Sequence, residues 1–161
     1  MPPSLTIIAV DPGRNGATVI RNDGHLEVVI KHLEVFASNE SLSPLATYAE
    51  LIVKHAYGDR VMIVREAASS RRGNSSKSTW SFAYGIGRVD AAIELALGSR
   101  AVCALQYLPT PKTWMTAMDC LTGGDKNITK TKAAAMFPSL KVTHATADAL
   151  LISEYAERFL K

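Results

Sequence analysis

Residues 5–22 read LTIIAVDPGRNGATVIRN, and this stretch decides the fold class of the chain. Its first part, Leu5 to Val10, is a continuous run of β-favouring residues, which predicts a buried central strand that ends at Asp11. A second strand-like run, Ala17 to Ile20, follows a short segment rich in glycine. A third run, Leu26 to Ile30, comes after a polar turn, so we expect three antiparallel strands at the start of the chain.

The remaining residues alternate between helical and strand-like patterns. A helix is expected after Ser43-Pro44, and two further buried strands are expected at Val61 to Val64 and near Ala101 to Leu105. Apolar residues at helical spacing predict three more helices, at about 79–97, 129–136 and 146–159. This order predicts an α/β protein in which a mixed five-stranded sheet is flanked by helices, within a single domain of 161 residues.

Composition excludes several classes of protein. An apolar fraction of 47% and a charged fraction of 20% are ordinary for a globular chain and exclude a disordered one. No apolar run approaches the roughly 20 residues that cross a bilayer, so no membrane association is expected. Cys103 and Cys120 lack the spacing of a zinc site. Two free thiols indicate a reducing compartment, and we therefore expect a cytoplasmic protein.

The charged residues are unevenly distributed, although the net charge is only +3. Residues 23–50 are mainly acidic, whereas basic residues gather in two later stretches. This distribution favours one face that meets phosphate groups, and the alternative is scattered solvated charge. The basic residues expected to bind DNA in these stretches are Arg71, Arg72, Lys77, Lys126 and Lys130. The first three lie in a polar segment, residues 69–78, which we expect to be a mobile surface loop that orders on DNA.

Acidic residues finish two of the predicted strands, at Asp11 and Glu66, and Asp148 is expected in the first turn of the last helix. If the first and fourth strands are neighbours, the three carboxylates can converge at one edge of the sheet. Clustered carboxylates are ligands for a hard cation such as Mg²⁺ or Mn²⁺, and two such ions can promote phosphodiester hydrolysis. Each acid also has a simpler explanation, as a turn residue, an exposed strand end or a helix N-terminal charge.

Several motifs, in order along nearly the whole chain, resemble one family. The segment from Ile8 to Ala17 is similar to an opening motif of strand, Asp-Pro-Gly and Gly-Ala. Glu66 is followed by Gly73 and then by an aromatic and glycine-bearing helix start, and a closing motif runs from His144 through Ala147 to Ile152. On these residues the chain resembles the bacteriophage-type Holliday junction resolvases of the RuvC family, in the ribonuclease H-like superfamily.

The resemblance implies a ribonuclease H-like nuclease domain over residues 1–161. It further implies a homodimeric, Mg²⁺-dependent endodeoxyribonuclease, with two ions per active site, that makes paired nicks in four-way junctions and other branched DNA. Asp11, Glu66 and Asp148 would be its metal-binding and catalytic carboxylates. A phage-encoded enzyme of this kind would act in the cytoplasm of a bacterial host. The aromatic residues near the start of the long helix, among them Trp80 and Tyr84, would lie at the dimer interface, in the core or against the junction.

Two positions depart from the family pattern. Family members usually carry a second acid, or a histidine, three residues before the last aspartate, and this chain has Ala145 there. His144 is then a candidate for the missing ligand or proton-transfer group, because it lies four residues before Asp148 on the same helical face. Met115 stands where the family tends to have a lysine, and Lys112 is a partial substitute and a further candidate for DNA binding.

Three interpretations remain open from the sequence. The first is a nuclease in which Ala145 is either natural, with His144 in the catalytic role, or an engineered Asp→Ala change that inactivates the enzyme. The second is a junction-binding protein that does not cut DNA. An actin-like sugar kinase or ATPase also places an aspartate and glycines after its first strand, but that architecture needs two such domains and this chain has the length of one.

Overall fold

The computed structural model describes residues 4–36, 44–67, 75–98 and 103–161, without the side chains of residues 103 and 104. Five strands in these ranges form one sheet, in the order β3-β2-β1-β4-β5. The strands are β1 (Leu5–Val10), β2 (Ala17–Asn22), β3 (His25–Lys31), β4 (Arg60–Arg65) and β5 (Cys103–Tyr107). β1 pairs antiparallel with β2 and parallel with β4. The sheet is therefore mixed, as the sequence predicts.

Helices cover both faces of this sheet. They are α1 (His32–Phe36), α2 (Pro44–His55), α3 (Ser76–Gly98), α4 (Pro111–Ala117), α5 (Asn127–Met136) and α6 (His144–Phe159). Helices α2 and α3 bury one face of the sheet, and α4, α5 and α6 contribute to the core on the other. The predicted five-stranded sheet flanked by helices is confirmed. None of the helices within the described ranges is long and apolar enough to cross a membrane.

Side chains along β1 alternate between the two faces of the sheet, and this alternation decides to which face the residues at its end point. Ile7 and Ala9 belong to the core under α6, whereas Ile8 and Val10 belong to the core under α2 and α3. Since successive side chains in a strand point to opposite faces, the next residue, Asp11, is directed to the α6 side. The same alternation in β4, where Met62 and Val64 face α6, directs Glu66 to that side.

Three helices begin earlier than the sequence predicts, and one of them is α5, which begins at Asn127 and not at position 129. Helix α3 begins at Ser76, so the end of the predicted loop 69–78 is helical, and the Ser75 hydroxyl accepts a hydrogen bond from the backbone N–H of Ser78 at 3.2 Å. Helix α6 begins at His144, where Thr143 and Thr146 form a capping box. Asp148 is consequently in the second turn of α6 and not in the first. Residues 69–74 of the predicted loop, with Arg71 and Arg72, lie outside the described residues.

Candidate active site

The ends of β1 and β4 bring two acidic residues to one edge of the sheet. These strands are parallel neighbours, with Val10 opposite Arg65 in the register. The backbone N–H of Glu66 donates to the carbonyl of Val10 at 3.0 Å, so the ladder continues one residue past the strands. Asp11 and Glu66 thus follow adjacent, paired positions, and both side chains are half-buried.

A tight turn over residues 11–17, which we call the Asp11 turn, holds the first of these acids. The backbone N–H of Asp11 donates to the carbonyl of Ala17 at 3.0 Å, and that of Gly16 donates to the carbonyl of Gly13 at 3.2 Å. A Cβ atom at position 16 would lie 2.1 Å from the Asp11 carbonyl oxygen, so only glycine fits there. Gly13 has a φ of 129°, which is also a glycine conformation. The two glycines therefore permit the chain to reverse directly after Asp11.

Trp114 fixes the carboxylate of Glu66. Its indole Nε1 donates a hydrogen bond of 2.7 Å to Oε2 of Glu66, and the indole is fully buried. Helix α4 positions this side chain, because Thr110 caps the helix and Pro111 opens it. A buried tryptophan needs an acceptor for its N–H, and here the acceptor is a site residue. Nothing in a single sequence identifies this partner of the Trp114 indole.

Asp148 projects from α6 into a half-buried position between neighbouring helices. Burial raises the pKa of its carboxyl group above the ordinary value, and the Thr129 hydroxyl, Lys126 and His144 partly oppose this shift. Thr129 and Lys126 belong to the start of α5, which packs against α6. The N-terminal end of α5 is therefore the part of the molecule that surrounds this carboxylate.

Two of the acids, Glu66 and Asp148, act electrostatically on the third, Asp11. The pKa of Asp11 is raised well above its ordinary value of 3.8, first by burial and then by the negative charges of Asp148 and Glu66. Lys126 opposes the shift but does not cancel it. Burial and the two neighbouring carboxylates therefore both disfavour the ionised form of Asp11.

The donors suit a hard divalent cation by type, because all three are carboxylates and their mutual repulsion would be relieved by a positive ion. In the part of the chain that the structure describes, however, no group of three or more His, Cys, Asp or Glu side chains is arranged tightly enough to enclose a metal ion. The carboxylates thus lie within electrostatic reach of each other without forming a closed set of ligands. Their use as metal ligands stays a prediction.

His144 is exposed at the first position of α6, and Ala145 follows it half-buried. The positive form of His144 is close enough to Asp148 to lower the pKa of that carboxyl group. The imidazole is therefore near the acid that the sequence analysis paired with it. Its role as ligand or proton-transfer group stays a prediction.

The predicted DNA-binding residues fall into three groups. Lys126 immediately precedes α5, with Lys130 one turn along the helix, and Lys126 acts on both Asp11 and Asp148. Lys77 and Lys112 are exposed on α3 and α4, and neither forms an ion pair with another described residue. Arg71 and Arg72 belong to the segment outside the described ranges. The structure thus brings Lys126 to the carboxylates and leaves the other contacts as predictions.

Comparison with solved structures identifies the fold. The chain is similar to T. thermophilus RuvC in complex with Holliday junction substrate. The match covers 95% of each chain, with a TM-score of 0.56 and 17% sequence identity. A second structure, of Thermus thermophilus RuvC, matches over the same shares with a TM-score of 0.55 and 16% identity. The chain has the fold of RuvC. The predicted ribonuclease H-like fold is therefore confirmed.

Sequence comparison adds nothing at this level, since neither a protein-family model nor a curated protein matches the chain. At 16–17% identity the likeness to RuvC shows the fold and does not transfer residue roles.

A buried histidine that the sequence analysis did not single out lies beneath the Asp11 turn. His32 begins α1, and its side chain has no exposed surface. Its Nδ1 is 2.7 Å from the carbonyl oxygen of Gly13, and its Nε2 lies near the hydroxyl groups of Thr18 and Tyr48. Only its position after the third strand was visible in the sequence, and a lone histidine carries no signal of its partners.

Proposed function

We propose that the protein is a structure-selective, metal-dependent endonuclease of the bacteriophage RuvC type, which cuts Holliday junctions and other branched DNA. The observation that carries this proposal is the set of three carboxylates. Two of them follow neighbouring parallel strands, the third projects from α6, and their charges raise the pKa of Asp11. The RuvC fold, seen with Holliday junction substrate in one neighbouring structure, supports the choice of DNA as substrate.

Asp11, Glu66 and Asp148 would hold two Mg²⁺ or Mn²⁺ ions. When bound, such cations activate a water molecule and stabilise the leaving oxygen of a phosphodiester. The chain's own residues orient the ligands: Trp114 holds one oxygen of Glu66, and the turn closed at Gly16 holds Asp11. His144 would accept or donate a proton beside Asp148, in place of the acid that the family carries at the position of Ala145.

The phosphate groups of the DNA would be held by basic residues around the carboxylates. Lys126 at the start of α5 is the first candidate for this role, because it acts on two of the carboxylates, and Lys130 is one turn further along the same helix. Phosphate contacts need positive charge in reach of the backbone and supply much of the affinity for DNA. We assign Arg71, Arg72, Lys77 and Lys112 to the same role.

A homodimer would present two such sites to the two strands of a junction. Its interface would be the exposed face of α3, on which Trp80 is 75%, Tyr84 61% and Leu95 54% exposed. Gly87 lies at helical spacing from these residues, on the same face of α3. A Cβ atom at this glycine would meet nothing within 4 Å. A stripe of large apolar side chains around an open glycine is suited to the close approach of a second helix. Each subunit would be one nuclease domain, active in the cytoplasm of a bacterial host.

Cleavage of a synthetic four-way junction tests this function. With Mg²⁺, the wild-type protein should make paired nicks, and Glu66→Gln should bind the junction without cutting it. The matched control is Glu50→Gln, because Glu50 is exposed on α2 and far in sequence from the site. This control should cut at the wild-type rate.

Ala145 favours a second candidate, a protein that binds junctions and does not cut them. The Ala145→Asp variant distinguishes the two. If the wild-type protein cuts, the carboxylates present suffice and the nuclease function stands. If only Ala145→Asp cuts, the chain as it exists is a junction-binding protein with an incomplete site, and the proposed activity is wrong for it.

A further inference from the structure

His32 contacts the Asp11 turn at two points. Its backbone N–H donates to the carbonyl of Gly16 at 3.1 Å, and its ring Nδ1 lies 2.7 Å from the carbonyl oxygen of Gly13. Gly13 and Gly16 are the two glycines on which the reversal after Asp11 depends. One residue therefore holds both ends of the segment that follows the carboxylate.

The partners of the ring fix its tautomer. A carbonyl oxygen can only accept, so the proton is on Nδ1 of His32. Burial lowers the pKa of His32, which favours the neutral ring and leaves Nε2 as an acceptor. The hydroxyl groups of Thr18 and Tyr48 lie 3.1 Å and 3.2 Å from Nε2 and are hydrogen bonded to each other. One hydroxyl can donate to Nε2 and the other to its neighbour, so every polar atom of the three side chains has a partner.

This network is buried and costly to build. His32, Thr18 and Tyr48 have no exposed surface, and Tyr48 also stacks on Phe36 with ring centroids 5.2 Å apart. A leucine would fill the place of the imidazole without the cost of burying polar groups. The ring adds one thing that a leucine cannot, a directed hydrogen bond to the turn that carries Asp11.

We propose that His32 is a positioning residue, which holds the Asp11 turn so that the Asp11 carboxylate is presented to a divalent cation. It acts through Gly13 and Gly16 and touches neither the cation nor DNA. Thr18 and Tyr48 hold the ring in the required tautomer. The inference rests on the proposed metal-binding role of Asp11. Groups that orient a metal ligand commonly change metal affinity by about 10- to 100-fold.

The test compares His32→Leu, which removes the ring hydrogen bond, with His32→Asn, whose side-chain amide keeps an N–H for Gly13. Mn²⁺ affinity is measured by calorimetry without DNA, and the protection of the Asp11 and Gly16 amides is measured by hydrogen exchange. His32→Leu should weaken Mn²⁺ binding about tenfold or more and speed exchange at both amides. His32→Asn should recover most of the affinity and protection. The matched control is His55→Leu at the end of α2, which should change neither.

Stability is measured on the same variants by denaturant unfolding, so that a general loss of structure is recognised. A folded His32→Leu with wild-type Mn²⁺ affinity and wild-type protection of the turn would overturn the proposal. So would equal losses in His32→Leu and His32→Asn, because the hydrogen bond would then not be the cause. If His32→Leu does not fold, His32→Phe carries the test: it keeps a ring in the buried position and removes the hydrogen bond to Gly13, so unchanged affinity and protection in it would overturn the proposal.

The proposed nuclease function fails separately. If the wild-type protein binds Mn²⁺ and the His32 variants behave as expected, yet no branched DNA is cut, His32 positions a metal ligand in a protein that is not a nuclease. A wild-type protein that binds no Mn²⁺ overturns both proposals.

Discussion

At the scale of single residues, Asp11 lies in surroundings that oppose its ionisation. Its folded pKa is raised above the value of 3.8 by burial and by two neighbouring carboxylates. For an acid with a raised folded pKa, its contribution to stability is fully present below the unfolded pKa and is lost as the pH rises through the folded value. Metal-free protein at neutral pH therefore retains an electrostatic cost at this residue.

Asp11→Asn removes that cost, so we expect the metal-free variant to melt about 2–4 °C above the wild-type protein at pH 7, corresponding to about 1 kcal/mol. The difference should shrink as the pH falls toward 3.8. Mn²⁺ should stabilise the wild-type protein and leave the variant unchanged. Differential scanning calorimetry at several pH values measures all three effects. A variant that melts below the wild-type protein at pH 7 would show that the Asp11 carboxylate is not under repulsion.

Trp114 offers a second test on a single side chain. Trp114→Phe removes the donor to Glu66 and should lower the free energy of unfolding by about 1.5–3 kcal/mol, the range for a hydrogen bond to a charged group. Junction cleavage should fall about tenfold or more, because the Glu66 carboxylate is no longer held. Tyr57→Phe is the control, since Tyr57 is exposed and the substitution removes a hydrogen bond to a carboxylate, that of Glu27, which is not part of the site. Equal activity in the two variants would remove Trp114 from the site.

At the scale of elements, the start of α5 is the cationic side of the site. Replacing Lys126 and Lys130 together by alanine should weaken junction binding and reduce the slope of log affinity against log salt by up to about 1.8, since each lost phosphate contact removes about 0.9. Lys54→Ala on the exposed surface of α2 is the control. Fluorescence anisotropy at several salt concentrations gives the slopes. An unchanged slope in the double variant would place the phosphate contacts elsewhere.

The elements were largely predictable, and their ends were not. Leu5 to Val10 contains only β-favouring residues, all apolar except Thr6, because β1 is buried on both faces, and such a run is visible in a sequence. The early starts of α3 and α6 depend on hydroxyl groups at Ser75 and Thr143, which are equally common in loops. The short helix α1 has too few residues to show a period, so no pattern indicated it.

At the scale of the whole molecule, the exposed stripe on α3 should decide oligomeric state. We expect the wild-type protein to be a dimer at micromolar concentration and Leu95→Glu to be a monomer, because a charge would be buried between two helices. Ala135→Glu on the exposed side of α5 is the control and should remain a dimer. Sedimentation velocity measures the outcome. A monomeric wild-type protein would be contrary to this interface.

The candidate site shows how far a sequence leads for the molecule as a whole. Asp11 and Glu66 were predictable as neighbours, because each of them follows an apolar strand. Neighbouring parallel strands end at the same edge of the sheet. The contacts that hold these acids were not, since Trp114 reaches Glu66 across 48 positions and His32 reaches the Gly13 carbonyl of the Asp11 turn across 19. Long-range contacts of this kind come from how helices pack, and local patterns do not encode them.

Gly16 has a consequence for how distant relatives could be recognised. The Asp11 carbonyl occupies the space that any side chain at position 16 would need, so every protein with the same turn must carry glycine five residues after the aspartate. This requirement is steric and does not weaken as the rest of a sequence diverges. A sequence profile that weights this aspartate and glycine as a pair, followed by a strand of β-branched residues, would therefore detect more distant relatives than sequence identity over the whole chain does.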